Sequence, residues 1–131
     1  MFDMRTFLGL LLVLLVGASR AASLDEDLLA AREAYRTGQA AKLDGYAKRL
    51  KGHILEPYVA YWQLNPRLEQ ASTEEVRSFL STYRDTPLAE RLRIDWLKGL
   101  GRTRQWDLFE QESPQVVVED LDITCYSLRS D

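Results

Sequence analysis

Leu55-Glu56-Pro57-Tyr58-Val59-Ala60-Tyr61-Trp62-Gln63-Leu64 is the stretch whose reading decides the fold. Pro57 lacks an amide hydrogen, which costs nothing at the first position of a helix. Behind it, Tyr58 is followed by Tyr61 and Trp62 at the i+3 and i+4 positions, so the three rings share one helical face. Asn65-Pro66 then closes the run. Aromatic residues at this spacing are usually core, and burying one stabilises by roughly 2–3 kcal/mol. The competing reading is a sugar-binding groove formed by Tyr58, Tyr61 and Trp62 with Trp96 and Trp106.

The same punctuation recurs on both sides of this helix. Upstream, Ser23-Leu24-Asp25-Glu26 reads as a capping box, with Leu24, Leu28, Ala31 and Tyr35 on one face and Gly38 as the stop. A second helix is expected from about 39 to 51, with Leu43, Tyr46, Ala47 and Leu50 inward and Gly52 as its end. Downstream, Ser72-Thr73-Glu74-Glu75 repeats the capping box before the stripe Val76, Phe79, Leu80 and Tyr83. Thr86-Pro87 opens a fifth helix carrying Ala89, Leu92, Trp96 and Leu100, which Gly99 and Gly101 are expected to end. A short sixth helix from about 103 to 111 holds Trp106 and Phe109. After Ser113-Pro114, Val116-Val117-Val118 has strand propensity. No other strand is present to pair with it, so a seventh helix is expected at 120–128, with Leu121, Thr124, Cys125 and Leu128 on one face.

Short helices with short links imply an all-α array of antiparallel pairs, a superhelix or solenoid. Units of roughly 30 residues approach the tetratricopeptide repeat length without its consensus. Such an array would leave an apolar end uncovered at Leu121, Cys125 and Leu128.

The first residues read as a processing signal. Phe7 to Val16 is an apolar run too short for a bilayer, which takes about 20 residues. Ser19 and Ala21 fit a small-x-small cleavage site, so 1–21 is assigned as a signal peptide and 22–131 as the helical domain. An uncleaved anchor is the alternative, because Asp3 and Arg20 fit the pattern poorly. Cleavage would take away one acid and two bases, moving the net charge from −3 to −4. That balance argues against a partner held by phosphate contacts, so no nucleic acid is expected, nor a stable membrane span after cleavage.

Little catalytic material is present. His53 is the sole histidine and Cys125 the sole cysteine, so neither a metal site nor a Ser-His-Asp triad is expected, and no cofactor. His53 reads as a cap or surface residue, and Cys125 as a free thiol, an external partner or a small buried hydrophobe. Acids in first turns, such as Asp25 and Glu74, fit the helix dipole. One cationic segment stands out: Arg91, Arg93, Lys98, Arg102 and Arg104 lie among only Glu90 and Asp95. It is either a strip facing a glycan or protein partner, or a solvated helix face.

The order of these motifs resembles the N-terminal helical domain of soluble lytic murein transglycosylases. The resemblance rests on Leu55–Leu64, Phe79-Leu80, Pro87-Leu88-Ala89, Leu92-Arg93, Trp96-Leu97, Trp106-Asp107-Leu108-Phe109 and Cys125-Tyr126, and covers most of 24–129. It implies a periplasmic protein of a Gram-negative bacterium. It also implies a longer parent, whose lysozyme-like domain cleaves peptidoglycan glycan strands to 1,6-anhydro ends with one glutamate as acid and then base. That domain is absent. Gln111-Glu112-Ser113 imitates its catalytic triplet, but Pro114 follows at once and no Gly-Leu-Met-Gln segment comes after. The resemblance further implies that Cys125 pairs with a downstream cysteine. The expected function is a non-catalytic scaffold fragment of that enzyme; the alternative is a free-standing periplasmic helical-repeat adaptor that binds a protein partner.

Overall fold

Glycine and proline set the helix boundaries in the computed structural model, which describes residues 23–131. The expected signal peptide at 1–21 lies outside the described residues. Those residues hold seven α-helices and no strand. They are α1 (23–36), α2 (Ala40–Arg49), α3 (Glu56–Leu64), α4 (Thr73–Thr82), α5 (Pro87–Arg102), α6 (Trp106–Glu112) and α7 (Leu121–Ser130). Short 3-10 turns follow α3 and α6, at Asn65–Arg67 and Ser113–Gln115. The all-α expectation holds. The chain divides into two compact units between Val59 and Ala60.

In the first unit, Gly38 and Gly52 take positive φ values of 70° and 81°, the left-handed conformation that glycine adopts without strain. Ala31, Ala34, Leu43 and Leu50 are buried. Arg49 pairs with Asp27 at 3.1 Å, joining α2 to α1. Ser23 is itself helical, so it is not the cap that the Ser-x-x-Glu pattern predicts. His53 works as a turn residue: its Nδ1 accepts a hydrogen bond from the Leu55 amide at 3.1 Å.

The second unit is built on α5. Leu92, Trp96, Leu97 and Leu100 are buried, and α5 packs against α4, α6 and α7. Tyr61, Leu64, Val76, Phe79, Phe109 and Ile123 complete one core. Ser72 caps α4 by accepting from the Glu75 amide at 3.1 Å. The reciprocal half of the capping box is missing, because both Glu75 oxygens are taken by the Arg67 guanidinium. That bidentate pair also holds the Glu75 carboxyl below the usual carboxylate range. Thr86 starts α5 in extended conformation, but its hydroxyl turns back to donate to the Tyr83 carbonyl at 2.7 Å.

Three sequence expectations meet the structure with different outcomes. First, Gly99 and Gly101 do not end α5, which continues to Arg102. Arg104, at φ 58°, makes the turn instead. Gly101 serves packing: a Cβ there would fall 2.5 Å from Cδ2 of Tyr126. Second, α7 buries Ile123 and turns Tyr126 inward, while Leu121, Cys125 and Leu128 are exposed. These are the three residues that the sequence marks as an uncovered apolar face. Third, the aromatic face of α3 is divided. Tyr61 is buried and Trp62 packs against the core, but Tyr58 is 46% exposed.

The two glycines of α5 predict opposite outcomes. Gly101→Ala should destabilise by about 1–3 kcal/mol through overpacking against Tyr126. A Cβ at Gly99 meets only side-chain atoms, the nearest at 3.7 Å. Gly99→Ala should therefore be neutral or stabilise by up to about 1 kcal/mol through helix propensity. Urea denaturation of both variants checks the pair.

Candidate functional site

The five cations of the expected strip do not form one surface. A helix turns 100° per residue, so Arg91, Lys98 and Arg102 share a face of α5 while Arg93 points the other way. Arg91 lies over the Tyr61 ring, 5.5 Å from its centre. Lys98 pairs with Asp120 at 2.9 Å and Asp122 at 3.2 Å. Arg102 pairs with Glu69 at 2.8 Å. Arg104 sits in the turn after the helix.

Arg93 enters a second cluster, around the carboxylate of Glu112, which is only 4% exposed. Arg77 donates to Glu112 Oε1 from Nε at 2.7 Å, and Arg93 Nη1 stands 3.9 Å from Oε2. Arg93 Nη1 also donates to Gln115 at 3.3 Å. Glu112, the acid of the imitated triplet, is thus a buried ion-pair partner joining α6 to α4, and its charge is compensated as a buried charge must be.

Lys98 and Arg102 do line a cleft of the second unit. The cleft holds about 390 Å³ between the Asn65–Arg67 turn, the start of α4 and the last two turns of α5. Asp95 stands at one side. Its Oδ2 accepts from Tyr61 Oη and Asn65 Nδ2, both at 3.0 Å. Two donors on one oxygen fix the carboxylate in orientation and leave the other oxygen as an acceptor. Gln70, Thr73, Thr103 and Gln105 add neutral hydrogen-bonding groups, and Leu68, Leu100 and Leu108 line the apolar part. Arg102 and Glu69 bind each other across it, so both charges are largely cancelled.

This balance of donors and acceptors, with little net charge, suits a polar uncharged ligand better than a strong anion. In the sequence, Asp95 stands out only as a counter-charge and Asn65 only as a helix stop. A signal was present: Asp95, Lys98, Gly99 and Arg102, spaced 3, 1 and 3, mark one helical face. Asn65 reaches that face only through the turn after α3.

Among the described residues, no group of three or more His, Cys, Asp or Glu side chains could hold a metal ion. Among the same residues, no helix is long and apolar enough to cross a membrane. Neither a family model, nor a curated protein, nor a solved structure matches the chain.

The wall of the cleft formed by Lys98 also fixes α7. Asp120 caps that helix, accepting from the Asp122 and Ile123 amides at 3.0 and 3.2 Å. The Lys98 ammonium donates to the Asp120 carboxylate, holding the carboxyl below its ordinary range and the ammonium above its own. A depressed folded pKa contributes stability above the unfolded value, about 3.9 for aspartate, and loses it as pH falls through the folded value. The raised Lys98 value contributes fully below about 10.4 and is lost only as pH rises through the folded value. Asp120→Ala should therefore cost about 1–2 kcal/mol at neutral pH through the lost cap. It should also flatten the loss of stability on acidification below about pH 4. Denaturant melts across pH 2–7 measure both.

Proposed function

We propose that this chain is a non-catalytic helical scaffold segment of the soluble lytic transglycosylase type, which holds peptidoglycan glycan strands in the periplasm for a catalytic domain elsewhere. The observation that carries the reading is the cleft beside Asp95. Its fixed carboxylate, amide and hydroxyl groups and self-compensated Glu69–Arg102 pair suit the hydroxyl and amide groups of a glycan. The motif resemblance supports it independently: the aromatic stretch lies in α3, the Trp106–Phe109 motif in α6 and the Cys125-Tyr126 pair in α7. The expected disulfide from Cys125 to a downstream cysteine belongs to the same reading, and the exposed thiol leaves it sterically open.

The alternative, a free-standing adaptor, draws on the exposed stripe of α7, an apolar surface of the kind that contacts proteins.

Co-sedimentation with purified peptidoglycan sacculi tests the proposal. The chain should pellet with the sacculi and release no anhydro-muropeptides. Asn65→Ala with Arg102→Ala should lower the bound fraction about tenfold, the loss of roughly 1.4 kcal/mol from two polar contacts. Absence of pelleting, or pelleting unchanged by the double substitution, would count against the glycan reading, and release of anhydro ends would overturn the non-catalytic one.

A further inference from the structure

The exposed face of α7 is self-complementary. Leu121, Cys125 and Leu128 follow one another at spacings of 4 and 3, so they form a single stripe. It faces away from Ile123 and Tyr126, which hold the helix to the core. Leu121 and Leu128 are 78% and 74% exposed, and Val117, just before the helix, is 86% exposed. An apolar row of this kind on an otherwise charged surface marks a contact site.

We propose that the occupant is a second copy of this chain, bound through an antiparallel α7–α7 pair. The charges flanking the stripe decide for this partner. Asp122 and Arg129 both lie on one flank, close to 100° and 80° around the helix from Leu121 by the 100° rule. When two α7 helices pair about a two-fold axis near Cys125, Leu121 of each copy meets Leu128 of the other. The same operation brings each Arg129 beside Asp122 of the other copy, giving two equivalent ion pairs. Arg129 is exposed, and the Asp122 side chain is 66% exposed beyond its contact with Lys98. In a parallel two-fold pair this flank would face the opposite flank of the other copy, which carries Thr124 and Ser127, so neither ion pair could form. A contact between two ten-residue helices is at the small end of specific interfaces, so the dimer is weak and concentration-dependent. It goes beyond the proposed function and competes with one part of it, the downstream disulfide at Cys125; the cleft lies elsewhere in the second unit, so glycan binding and pairing can fail separately.

The sole cysteine supplies the probe. A short bismaleimide added to the full chain at about 100 µM should give a covalent dimer through Cys125, and sedimentation velocity should show the sedimentation coefficient rising with concentration. Leu128→Asp, at a position exposed in the single chain, should cut the cross-linked yield about tenfold or more. Arg129→Glu should cut it less, about threefold to tenfold, and adding Asp122→Arg should restore it. An unchanged thermal melt shows that each variant remains folded. A single monomeric species at all concentrations, whether the stripe is bare or serves another protein, overturns the proposal. So does a dimer that Leu128→Asp leaves unchanged, since association would then run through another surface. Failure of the charge swap to restore cross-linking overturns the antiparallel register.

Discussion

The second unit depends on the contact between the Tyr126 ring and the bare backbone of Gly101. Only glycine lets a helix approach an aromatic face this closely. Because Tyr126 can lie there, it also meets Phe109 edge-on, with ring centres 6.4 Å apart, and Trp106 at 6.3 Å. Three helices thereby share one aromatic cluster at the end of α5. The Asp120–Lys98 pair fixes the start of α7 while the ring fixes its middle, so the ten-residue helix is held at two places. A helix of that length is marginal alone in water. Its position is thus a product of tertiary contacts.

Fixing α7 in this way has a consequence on its far side. With Ile123 and Tyr126 committed inward, the 3.6-residue period carries Leu121, Cys125 and Leu128 outward. The apolar stripe is a geometric result of the inward contacts, and the charges beside it are part of the same ten residues. Nothing further in the second unit covers it.

The cations of α5 show how a local charge excess loses its meaning once folded. The segment carries three more positive than negative charges in sequence, yet Arg93, Lys98 and Arg102 each face acids from other elements: Glu112, Asp120 and Glu69. What remains on the Lys98–Arg102 face is a cleft of mixed polarity. Its orienting group is Asp95, which is held by a tyrosine and an asparagine from the α3 side. A site of this character favours neutral, hydrogen-bonding ligands over polyanions, in keeping with the acidic balance of the whole chain.

The sequence by itself determined the all-α class, the order of the helices and most of their limits. These depend on local physics: Gly38 and Gly52 need positive φ, Pro57 and Pro87 fit first turns, Ser72 caps α4, and apolar residues recur at 3.6. It also marked Leu121, Cys125 and Leu128 as a common face. The tertiary structure alone decided whether a given local signal was used. Gly101 looks like a stop but is a packing site, because a ring 25 residues away occupies its Cβ position. Glu75 looks like half of a capping box but binds Arg67. Tyr58 looks like core but is half exposed, while Tyr61 and Leu64, farther along the same helix, are buried in the core of the second unit. The cleft beside Asp95 was decided in the same way, since Asn65, Glu69 and Arg102 become neighbours only when the turn after α3 lies against α5. Local preferences are set by the few residues around each position, whereas these outcomes depend on partners outside that neighbourhood: Arg67 lies 8 residues from Glu75, Tyr126 25 from Gly101 and Arg102 33 from Glu69.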